Sequence, residues 1–77
     1  MSKQIYKGYL VVAVVAFNEA TRTWVPEVDI SWDDRGLPRW YRLAGALERF
    51  TTQQDAESFA IAAATAWVDD HINPVAL

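Results

Sequence analysis

The chain has 77 residues, no cysteine, one histidine and a formal net charge of −3. At that length it is one domain that buries only about 60–65% of the surface its unfolded form exposes, so it folds on a thin margin. Disulfides and thiolate zinc sites are excluded, a lone histidine gives no structural metal site, and the acid excess argues against a general polyanion binder.

The remaining ways to hold so small a fold are dense aromatic packing and self-association. There are four tryptophans, and burying one removes about 150–250 Å² from water, worth about 4–6 kcal/mol as an upper bound. Charge is unevenly placed: every Lys and Arg lies in residues 1–50, and beyond them only Asp55, Glu57, Asp69 and Asp70 are charged. The cysteine-free composition fits a reducing cytosol, and a cytoplasmic location is expected.

The opening MSKQIYKGYLVVAVVAF superficially resembles a signal peptide. Its apolar run, Tyr9 to Phe17, is too short to span a bilayer and rich in valine, and Asn18-Glu19 stands where a small-residue cleavage site belongs. The stretch reads instead as a first strand over 5–17, with Gly8 marking a bulge or a close backbone approach. Residues 1–4 read as a loose terminus. Both alternating sets of the strand are apolar, which asks for cover on both faces.

A polar connection over 18–22 leads to a second strand, Thr23 to Trp32. Its period-2 pattern puts Trp24, Val28, Ile30 and Trp32 on one face and Glu27, Asp29 and Ser31 on the other. Pro26 belongs at an edge or a break in the ladder. Asp33-Asp34-Arg35-Gly36 reads as a turn, with Gly36 able to take a positive φ. Arg39 to Leu43 is a third, shorter strand, and residues 44–50 are either a loop or a brief fourth strand.

The helix carries the plainest signals. Thr52 is an N-cap with Asp55 three residues on, and Phe50 can fold back onto the first turn. Residues 55–72 follow without Gly or Pro until Asn73-Pro74 stops the helix. Ala56, Phe59, Ala60, Ala63 and Trp67 are expected to face the sheet, with residues 74–77 as a loose tail. The expected fold is therefore one α+β domain over 1–77, a three- or four-stranded antiparallel meander with one C-terminal helix on one face (β-β-β-α).

No catalytic constellation appears. The lone His71 has no Ser or Cys nucleophile at a recognisable spacing, no glycine-rich phosphate loop is present, and Asp33-Asp34 and Asp69-Asp70 diverge. The chain reads as a non-enzyme with no catalytic, metal or cofactor-binding residues and no cofactor. Asp69, Asp70 and His71 point about 100° apart on a helix and cannot share one ion. They read as a solvated last turn, with His71 near the negative helix end.

Two surfaces are candidates for binding. Arg35, Arg39, Trp40 and Arg42, with Tyr41 nearby, combine phosphate-binding guanidinium groups with aromatics that stack on bases. Strand alternation places Arg39 and Tyr41 on one face and Trp40 and Arg42 on the other, and neighbouring acids offer cross-strand pairing instead. The other surface is a second helix stripe, Ile61, Ala64, Val68 and Ile72, turned away from the sheet. It calls for cover by the tail Val75-Ala76-Leu77 or by a second chain, and a homodimer is expected.

Two resemblances bear on this reading. Tyr6-Lys7-Gly8-Tyr9-Leu10, Trp24-x-Pro26-x-Val28-x-Ile30-x-Trp32, Phe50-x-Thr52 with Ala56, and Trp67-Val68-Asp69 together resemble a group of small uncharacterised bacterial and prophage-borne proteins. That likeness implies a bacterial or phage origin. The β-β-β-α order with Phe50-x-Thr52-x-x-x-Ala56 is more loosely similar to HicB-type antitoxins, which carry a partial double-stranded-RNA-binding fold and block an RNA-cleaving toxin. Where those proteins carry Pro-Asp-x-x-Gly after the second strand, this chain has Ser31-Trp32-Asp33-Asp34-Arg35-Gly36. The function expected is that of a small accessory protein acting by protein–protein contact. Weak nucleic-acid binding through the third strand, or toxin neutralisation, is the alternative.

Overall fold

The computed structural model describes residues 2–44 and 47–72. Six strands precede one helix: β1 Ser2–Tyr6, β2 Tyr9–Ala13, β3 Ala16–Asn18, β4 Thr23–Val25, β5 Val28–Asp34, β6 Leu37–Leu43 and α1 Gln53–Ile72. The fold is the expected α+β meander with a C-terminal helix. A four-stranded antiparallel sheet runs β1-β2-β5-β6, and β3 pairs with β4 separately.

The expected first strand is three strands. Lys7 and Gly8 take φ values of 51° and 85°, the left-handed pair of a two-residue type I′ hairpin turn. Gly8 is therefore a turn residue and not a bulge. The turn folds Ser2–Tyr6 back along Tyr9–Ala13, so residues 2–4, expected to be loose, are paired to Ala13, Val12 and Val11. Arg35 and Gly36 repeat the same turn at 55° and 86°, which leaves Asp33 and Asp34 inside β5 and starts the next strand at Leu37.

β2 with β3 and β4 with β5 form one long bent hairpin. The bend falls where Pro26 interrupts the ladder, and the Val14 N–H to Glu27 carbonyl bond at 2.8 Å carries pairing across it. The stretch read as a loop or brief strand contributes one bridge: Phe50 and Trp24 exchange both backbone bonds, at 2.7 and 3.1 Å. Its residues 45 and 46 lie outside the described residues, as do the Asn73-Pro74 stop and the tail 74–77.

Thr52 caps the helix as expected, its Oγ1 accepting the Asp55 N–H at 3.2 Å. The core lies between helix and sheet, where Val11, Ala13, Val28 and Ile30 meet Ala60, Ala64 and Val68. The helix buries Ala56, Ala60, Ala64 and Val68, a ridge of spacing four whose small side chains let it sit close to the sheet. Phe59, Ala63 and Trp67 flank that ridge, half-buried. Trp32 packs against the core, whereas Trp24 pairs with Phe17 at a ring distance of 5.0 Å on the bent arm.

Candidate interaction surface

Residues paired across antiparallel strands share a face. Val11 pairs with Ile30 and Ile30 with Tyr41, so that row lies under the helix. The adjacent row lies on the opposite face: Ile5 beside Leu10, Leu10 beside Ser31, Ser31 beside Trp40. Next to it runs Lys3, Val12, Asp29 and Arg42. The helix leaves this face uncovered. Ile5 and Trp40, at its two edges, are 76% and 73% exposed, and Leu10 and Val12 between them are half-buried. Among the described residues, the demand of the doubly apolar first strand for cover on both faces is thus met on one face only.

The structure divides the four residues considered for nucleic acid. Trp40 and Arg42 share the uncovered face, Arg39 pairs with Trp32 on the helix side, and Arg35 sits in the turn. Arg42 is fixed by Asp29 through Nε at 2.6 Å and Nη2 at 3.0 Å, with Glu27 3.9 Å away. That fork-to-carboxylate hydrogen bonding lowers the Asp29 pKa and raises that of Arg42. Arg39 lies 3.6 Å from Asp34. The alternation expected from sequence is observed, and so is the cross-strand charge pairing.

The helix stripe expected to self-associate is not on a free face. Ala64 and Val68 are both 0% exposed against the sheet, and Ile61 packs half-buried on the same core. Only Ile72 is open, at 40%. The physical reason is the angular phase of the helix: the fully buried ridge runs through Ala56, Ala60, Ala64 and Val68. Phe59, Ala63 and Trp67 flank it half-buried, Trp67 still packing on the sheet through Tyr41 and Trp32. Of the two apolar surfaces, the sheet face is the one that stays exposed.

An aromatic layer seals the other end of the helix. Trp67 stacks on Tyr41 at 5.3 Å and 9°, and on His71 at 4.8 Å and 11°. Trp32 and Tyr9 approach the same imidazole at 5.2 and 5.9 Å. Asp69, half exposed in the solvated last turn, is also a tether: it accepts the Tyr6 hydroxyl at 3.0 Å and Lys7 Nζ at 2.8 Å. Those bonds lower its pKa, with Lys7 the larger cause, and raise that of Lys7. This link from the first turn to the last helical turn escaped the sequence reading, because 62 positions separate Lys7 and Asp69.

A shallow apolar cleft of about 290 Å³ opens beside the helix, lined chiefly by Val28, Leu43, Phe59, Ala60 and Ala63. Among the described residues no group of three or more His, Cys, Asp or Glu could hold a metal ion, and no helix is long and apolar enough to cross a membrane. No protein-family model matches the chain, and no curated protein matches it.

Proposed function

We propose that this protein acts by protein–protein contact and self-associates, through the uncovered sheet face and the outer edge of strand β6 that borders it. The observation that carries the reading is the apolar row from Ile5 through Leu10 to Trp40, opposite the helix. A small fold gains little from leaving a tryptophan 73% exposed unless another surface covers it. Tryptophan at a site of this kind is a frequent energetic anchor, and the ion-paired Arg42 beside it supplies a polar rim.

The nucleic-acid alternative has less support. Arg39 and Arg42 each lie against a carboxylate, and their faces differ. Sedimentation velocity from low to high micromolar concentration tests the proposal. Concentration-dependent growth in mass is expected, and Trp40→Asp is expected to abolish it while leaving the far-UV circular dichroism unchanged. A wild-type chain that stays monomeric at high micromolar concentration refutes self-association.

A further inference from the structure

We propose that two copies of this chain join edge to edge along β6, antiparallel and centred on Tyr41, into one continuous sheet. The inference rests on the self-association reading and gives it a geometry.

The backbone of β6 supplies the first argument. Its two-residue turn makes Asp34 and Leu37 a hydrogen-bonded pair. Alternation then commits Leu37, Arg39, Tyr41 and Leu43 to β5 and turns the backbone of Pro38, Trp40 and Arg42 outward. The proline, which has no N–H to offer, falls at an outward position, where no ladder bond of the monomer is lost. Among the described residues the N–H and C=O groups of Trp40 and Arg42 face an open strand edge.

Register follows from side-chain chemistry. Centring on Arg42 sets like charges directly opposite, and centring on Trp40 sets the Arg42 carbonyl against a proline without a donor. Centring on Tyr41 avoids both. Trp40 then exchanges its two backbone bonds with Arg42 of the second copy, and the same exchange repeats across the two-fold axis. On the uncovered face each Trp40 ring lies beside the Arg42 guanidinium of the other copy, a cation–π pair. Asp29 already holds that guanidinium in place with two bonds. On the helix face Tyr41 meets its own copy, which joins the two Tyr41–Trp67 stacks into one aromatic layer. The opposite edge, β1, is shorter, and it turns outward at Lys3, a residue type that discourages edge pairing.

Because the chain lacks cysteine, single substitutions give a clean test. Tyr41 and its copy form a non-hydrogen-bonded pair with Cα atoms about 4.5 Å apart, within disulfide range. Under mild oxidation Tyr41→Cys is expected to give a disulfide-linked dimer and Ile5→Cys is not. Since Tyr41→Cys removes a stacking partner of Trp67, amide hydrogen exchange on the wild-type chain provides the second measurement. The Trp40 and Arg42 amides are expected to become at least tenfold more protected as concentration rises, while those of Lys3 and Ile5 do not. A dimer that cross-links through Ile5→Cys and leaves the Trp40 and Arg42 amides unprotected overturns the edge geometry but keeps self-association. A monomer at every concentration overturns both.

Discussion

At the residue scale, two turns and one ion pair show how local chemistry sets the surface. Both two-residue turns place a long basic side chain, Lys7 or Arg35, in the left-handed region, as the β3–β4 connection does with Arg22. That conformation costs a side-chain-bearing residue about 1–2 kcal/mol. Lys7 has a compensation in its bond to Asp69. Arg35→Asn should therefore raise stability by about 0.5–1 kcal/mol in urea denaturation, because asparagine tolerates positive φ better. Gly36→Ala should lower it by about 1 kcal/mol, and through backbone conformation alone, since an added Cβ meets nothing within 4 Å. The Asp29–Arg42 pair makes a prediction about pH. The folded-state pKa of Asp29 is depressed by Arg42, so its contribution to stability is complete above the unfolded value of about 3.9 and fades as pH falls through the folded value. An NMR titration should find Asp29 ionising below the ordinary aspartate range. Arg42→Ala should return it to that range, with little loss of stability because the pair is half exposed.

At the scale of elements, the helix separates what the sequence could reveal from what it could not. Its cap and length were legible because Thr52, Asp55 and the break-free run are chemical signals tied to the backbone. Its angular phase was not, since alanine occupies Ala56, Ala60, Ala62, Ala63, Ala64 and Ala66 and marks no side as apolar. The aromatics Phe59 and Trp67 drew the expected contact stripe to one side, so that it includes Ala56 and Ala60 but leaves Ala64 and Val68 to the second stripe. Strand alternation, by contrast, correctly split Arg39 from Trp40 and Arg42, because a period of two leaves no intermediate phase. The first hairpin was missed because Lys7-Gly8 lacks the Asn or Asp that usually announces a type I′ turn. The corrected phase changes the expected behaviour of one variant. Val68→Asp places an unpaired carboxylate in the core, so it should unfold the protein rather than merely dissociate it, with loss of the cooperative thermal transition as the readout. Thr52→Ala loses one capping bond and should cost only about 1 kcal/mol.

At the scale of the whole molecule, the sheet and helix make only two layers, 16 Å across the shortest axis. Among the described residues no third layer lies over Ile5, Leu10 and Trp40. Pairing along β6 would set the uncovered faces of two copies side by side and double the apolar surface offered to a further partner. The charge distribution argues against that partner being a nucleic acid. The net charge is −3, Arg42 and Arg39 sit against carboxylates, and binding a phosphate backbone would require breaking those pairs while releasing few counterions. Fluorescence anisotropy at low salt, with a single-stranded RNA and a DNA duplex, should therefore show no saturable binding by the wild-type chain. Saturable binding that weakens steeply with added salt, and that Arg39→Ala and Arg42→Ala abolish, would reverse the conclusion. Strand β6 would then be the phosphate-binding element, with Arg42 and Trp40 on the uncovered face and Arg39 on the helix side.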